Sequence, residues 1–226
     1  MYLRFCAIAI LCSLASLAVA QDTDQKTEQD KRAFGVLPNN RTADGSLPFE
    51  PITAKRKMTI AFKDSFDGPI YFTSAAFAGI YQWENQNPSF GQGMAGYAKR
   101  YATSLSDLIV GNMMSEGVIP ALGHQDPRYF RVGQGSGTAR VWNAVKSIFV
   151  APMDSGRKTF NFSEWGGNAV SVALSNTYYP DTRNVHDNVG KLLMQCGTDA
   201  LSNVLKEFWP DVKRRLQRKN NISKQP

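Results

Sequence analysis

The sequence predicts an all-α protein: one compact bundle of about five helices with small-residue helix packing, a disordered N-terminal leader and a basic C-terminal tail. Three observations lead there. Long segments repeat apolar residues at spacings of three and four, the period of one helix face. No segment alternates apolar and polar residues over strand length, and no Asn-Gly or Asp-Gly turn separates two β-like runs. Gly and Ala recur inside the periodic segments, where each interior Gly costs about 1 kcal/mol relative to Ala unless close helix approach offsets it.

In chain order, residues 1–20 read as a secretory signal: Arg4, an apolar run from Phe5 to Ala15, then Ala18-Val19-Ala20 as an A-x-A cleavage site before Gln21. The run is short for a bilayer crossing, which needs about 20 residues. Cleavage would remove Cys6 and Cys12 and leave Cys196 alone, which excludes a disulfide-stapled scaffold. Residues 21–57, without a sustained period and rich in Asp, Gln, Lys, Asn and Pro, read as a flexible leader.

The domain is expected over 58–212. Asp67-Gly68-Pro69 opens a helix to Trp83, since proline is acceptable in a first turn, and its nearly unbroken apolar or small side chains predict burial on most sides. The central element lies within 91–131. Met94, Tyr97, Ala98, Tyr101, Ala102, Leu105, Leu108, Ile109 and Met113 share one face there, with Lys99, Arg100, Thr103 and Asp107 mostly opposite. A helix over 138–150 has Val141, Trp142, Val145, Ile148 and Phe149 as its apolar face. Ser163 is placed to cap the next helix, Glu164 to about Tyr178. The last spans 185–208 with Val185, Val189, Leu192, Leu193, Cys196, Ala200, Val204 and Phe208 on one stripe, and Pro210 is expected to break it.

The charge is uneven. Residues 58–212 hold 12 basic and 13 acidic groups, whereas the tail 213–226 has six basic residues and no acid. A near-neutral domain argues against a nucleic-acid groove. Aromatics beside a basic run suit a membrane interface, which makes Phe208, Trp209, Lys213, Arg214, Arg215, Arg218 and Lys219 candidates for binding anionic lipid or another envelope component.

The densest chemistry is Glu116 followed by His124, Asp126 and Arg128, candidates for acid–base or metal-dependent catalysis, with His186 the only other histidine. Opposing this, Asp-Pro is a common turn opening and the ligand set is short, so neither metal nor cofactor is expected. Gly91-Gln92-Gly93-Met94-Ala95-Gly96 spells a dinucleotide fingerprint but lacks the preceding strand, and reads as helix packing.

His124-Gln125-Asp126-Pro127-Arg128-Tyr129-Phe130, Asp154-Ser155-Gly156-Arg157, Ser175-Asn176-Thr177-Tyr178-Tyr179-Pro180 and Phe208-Trp209-Pro210-Asp211 together resemble a set of bacterial exported proteins of unknown function over roughly 60–212. The resemblance implies a bacterial periplasm or envelope location and supplies no activity or site. The leading expectation is therefore a non-enzymatic envelope protein, structural or binding, at or near a membrane surface. The alternatives are an enzyme centred on Glu116, His124 and Asp126, and an integral membrane protein of short Gly-rich helices.

Overall fold

The computed structural model describes residues 32–33, 37–38 and 41–222, with side chains over 41–215. The expected signal at 1–20, most of the leader before residue 41 and the side chains of Arg218 and Lys219 lie outside the described residues. The structure is mostly helical (67%), with few strands. Two short strands, β1 (Arg32–Ala33) and β2 (Leu37–Pro38), pair antiparallel, and β3 (Thr42–Asp44) follows. Helices α1 (Ala54–Ser65), α2 (Gly68–Trp83) and α3 (Gly93–Asn112) lead into a π-helical segment, Met113–Val118, and a short α4 (Ile119–Gly123). After β4 (Tyr129–Arg131) come α5 (Gly137–Lys146), β5 (Val150–Pro152), β6 (Lys158–Phe160), α6 (Phe162–Ser175) and α7 (Val185–Ile222).

The strands are a difference from the all-α expectation. β3 pairs parallel with β4, Thr42 opposite Tyr129, and β5 pairs antiparallel with β6 around the Asp154–Arg157 turn, where Gly156 takes φ +81°. Each strand is two or three residues long, too short to show alternation. Helix α1 is a second difference. Its N-cap Thr53 accepts from Arg56 N–H, and residues 41–57, assigned by sequence to the leader, belong to the fold. The cap of α6 also moves: Asn161 Oδ1 accepts from Glu164 N–H, while the Ser163 N–H donates to Gln125 Oε1.

The helices fall near their predicted positions, but their faces do not. On α2, Trp83 is 87% and Phe72 76% exposed. On α3, Met94 is exposed while Arg100, at 1% exposure, and Ser104 face inward. Trp142 on α5, and Val185, Val189, Leu193, Met194 and Leu201 on α7, also face out. The inward side of α7 is Cys196, Asn203, Lys206 and Glu207. Apolar side chains such as Ile60, Ile70, Val110, Ile148 and Val172 fill only part of the core; charged and polar groups bonded to one another fill the rest.

Small residues set the closest contacts at the π segment. A Cβ on Gly167 would lie 2.4 Å from Ser115 Cα, and one on Gly117 2.9 Å from Ala61 Cβ. Gly79, Gly166, Gly190 and Gly197 face open space, so close approach does not account for them. The π turn follows from Pro120, which has no N–H to return to Glu116 O. Ile119 N–H instead reaches back five residues to Met114 O.

Pro210 does not break the last helix, and α7 runs through it. Beside it, in the turn where Pro210 offers no N–H to Lys206 O, Arg131 Nε and Arg140 Nη2 donate to Glu207 O at 2.9 and 2.8 Å.

Candidate functional site

The fold converges on a buried ionic centre that the sequence reading identified only through Glu116. Arg41, just before β3, is 5% exposed and reaches three elements at once. Its Nη1 donates to Glu116 Oε1 at 2.9 Å, its Nη2 to Glu164 Oε2 at 2.8 Å, and its Nε to Pro127 O at 2.6 Å. Glu116 comes from the π segment, whose wider turn rotates the carboxylate inward, and Glu164 from the first turn of α6. Asn168, one turn along α6, donates through Nδ2 to Glu164 Oε1 at 3.1 Å and to Asp199 Oδ2 of α7 at 3.3 Å.

Three carboxyls and one guanidinium cannot all be charged in a dry interior at low cost. Burial opposes the charge on Arg41, but Glu116, Glu164 and Asp199 more than offset it and hold its pKa above the ordinary value. Burial raises Glu116 to about 7, with Arg41 opposing. Burial, then the neighbouring Glu164, pushes Asp199 well above the carboxylate range. For Glu164 burial acts upward too, but Arg41 and the bonds from Asp199 and Asn168 leave it below its usual value. Of this pair, Asp199 is the carboxyl that its surroundings drive towards the protonated form. Glu116 Oε2 is buried without a hydrogen-bond partner.

A cavity of about 90 Å³ borders this centre, walled by Phe77, Leu108, Val172 and Met194 with Asp199 and Asn168 at one end. At the other end lies Asp107. It accepts from the hydroxyls of Tyr178 and of Tyr179, the latter at 2.7 Å. Burial raises Asp107 to about 6, against those bonds and Lys191. The Lys191 ammonium sits 4.7 Å from the Tyr179 ring centroid. Burial also raises the Cys196 thiol to about 11, which keeps it protonated and unreactive.

Of the residues predicted for catalysis, the structure pairs Asp126 with Arg128 and leaves His124 at the surface. His124 is 80% exposed at its side chain, in the left-handed region at φ 54°, with Nδ1 3.6 Å from Asp154. Asp126 is buried and held by Arg128, whose Nη2 donates at 2.7 Å. Arg128 Nη2 also donates to Glu50 O, so this pair fastens the chain before α1. His186 is exposed on the first turn of α7. Among the described residues no group of three or more His, Cys, Asp or Glu could hold a metal.

The G-x-G-x-x-G stretch wraps an arginine instead of a phosphate. Arg100 donates to the carbonyls of Gln86, Asn87 and Gly91 and to Gln82 Oε1. Gly96 lets Gly91 O come so close that a Cβ there would lie 2.2 Å away.

Of the predicted membrane-binding residues, Phe208 lies under the Arg140 guanidinium, 4.3 Å from ring centroid to carbon, beside a shallow apolar groove with Val141, Trp142 and Val145. Arg214 and Arg215 are exposed, Arg214 donating to Asp211, while Trp209 and Lys213 continue the same helix.

The residues sequence reasoning missed are Arg41, the Glu164 and Asn168 pair, and Asp199, which come from three distant parts of the chain and carry no local motif. Comparisons with protein-family models, with curated proteins and with solved structures find no match to this chain.

Proposed function

We propose that the protein is an exported cell-envelope component that acts as a binding module at a membrane surface. The observation that carries this is the inversion of polarity. Phe72, Trp83, Met94, Leu122 and Trp142 are exposed, while Lys57, Arg100, Glu164 and Glu207 are buried. Large exposed apolar patches mark sites of association. Here the exposed apolar side chains are spread over α2, α3, α4, α5 and α7, which suits an apolar medium better than one protein partner. No helix among the described residues is long and apolar enough to cross a membrane, so the reading is attachment at the surface. The exposed Arg214 and Arg215 supply cations for anionic headgroups, worth about 1 kcal/mol each near the surface.

Flotation of residues 21–226 with lipid vesicles tests this. Binding through the apolar side chains should persist in 1 M salt, where the Debye length is about 3 Å and the tail contribution is screened. Replacing Phe72, Trp83 and Trp142 by Ser should cut binding more than tenfold with the far-UV spectrum unchanged, since burying such a side chain is worth about 1.5–3 kcal/mol. Failure of the unaltered protein to float with vesicles would refute the reading. The tail is tested by truncation after Asp211, because Asp211 forms an ion pair with Arg140 at 2.6 Å and its loss would disturb the fold.

A further inference from the structure

We propose that the cavity between α2, α3, α6 and α7 is a binding site for a small primary alkylammonium ion. This goes beyond the surface reading and does not depend on it. The first observation is an imbalance of hydrogen-bonding groups. Asp107 and Asp199 line the cavity with carboxyl oxygens. Ser104, 3% exposed, lines it with an Oγ that has no partner. Gln195 lines it too, and its Oε1 is likewise buried and unpaired, its amide oriented by the Nε2 bond to Ser171 Oγ at 3.5 Å.

Unpaired buried polar atoms carry a desolvation cost that an occupant would remove. Because acceptors predominate, the complementary occupant is a donor. Lys191 is the only cation lining the cavity among the described residues, and its Nζ already donates to Thr182 O at 2.7 Å and Ser175 Oγ at 3.4 Å. Arg41, bound by Glu116 and Glu164, does not line it. An ammonium supplies three donors to these oxygens, and Asp199, giving up its proton to solvent as the ligand binds, becomes its counter-ion.

Shape and size set the rest of the ligand. Phe77, Leu108, Val172 and Met194 form an apolar wall for an alkyl chain. Met194 is also exposed on α7, so the wall continues to the surface and marks the entrance. A volume of about 90 Å³ holds roughly six water-sized occupants. That corresponds to an amine of about five or six non-hydrogen atoms.

Calorimetric titration of the purified protein with n-butylammonium, n-butanol and n-butyrate tests the assignment. Saturable binding is expected for the ammonium, at least tenfold weaker binding for the alcohol and none for the carboxylate. Asp199→Asn should weaken ammonium binding at least tenfold. Because that change touches the ionic centre, Ser104→Ala and Met194→Trp are measured beside it; the first should weaken binding and the second should block the entrance. Equal affinity for alcohol and ammonium would overturn the proposal, as would absence of saturable ammonium binding. Retained binding in Met194→Trp would place any ammonium site elsewhere.

Discussion

Arg41 and Glu164 are 123 residues apart in the chain and 2.8 Å apart in the fold, Nη2 to Oε2. The contact fastens the segment before β3 to the first turn of α6, and with Glu116 it makes one guanidinium the counter-ion of two buried carboxyls.

Arg41→Met should therefore destabilise the fold by about 3–5 kcal/mol, because it strands uncompensated charge in the interior. Urea unfolding measures this. The triple variant with Glu116→Gln and Glu164→Gln should recover most of the loss, and a triple variant no better than the single one would show that packing, not charge, dominates.

Asp107 gives a pH signature. Its carboxyl is raised from 3.8 to about 6, so the folded state holds a proton that the unfolded chain releases earlier. The contribution is complete below about pH 4 and is lost as pH rises through about 6. It amounts to about 3 kcal/mol, from 1.36 kcal/mol per unit. Asp107→Asn should flatten that fall in stability between about pH 4 and 6. Parallel stability–pH curves for the two proteins would refute the assignment.

Arg100→Met should release the 82–91 loop. Four acceptors lose their donor, three of them backbone carbonyls, and one bond to a charged group is worth about 1.5–3 kcal/mol. Hydrogen exchange should show lost protection first at Gln86 and Gly91, whose N–H groups bond Tyr81 O and Pro88 O. Unchanged exchange there would rule out the arginine as the loop's anchor.

Two adjacent glycines should behave oppositely. Gly167→Ala puts a methyl 2.4 Å from Ser115 Cα and should cost about 1–3 kcal/mol. Gly166→Ala meets nothing within 4 Å and should gain up to about 1 kcal/mol in a helix interior. Thermal melts of the pair decide it.

The sequence shows where the helices lie because spacing is local: Pro69, Pro88 and Pro180 bracket segments whose period survives any packing. It does not show which way they face. The apolar stripe through Met94 and Ala98 predicts burial of that side. Yet Arg100 and Ser104 turn inward, since loop carbonyls brought by the tertiary fold surround the guanidinium. Of the candidate site, Glu116 was legible as a carboxylate beside a polar cluster. Arg41 was not, for it sits in a leader-like stretch and acquires its role only through contacts 75 and 123 residues away. His124, the most conspicuous residue by chemistry, forms the left-handed cap that ends α4.

Helix α7 has one more consequence, for the order of events during synthesis. It delivers Asp199 to the Arg41 centre and Glu207 to Tyr129, Arg140 and the 132–133 backbone. A nascent chain that ends before residue 199 holds the guanidinium of Arg140 and the hydroxyl of Tyr129 without the acceptor that later closes over them. Native docking thus waits for the last helix to emerge, and the partly made polypeptide stays pliable until then.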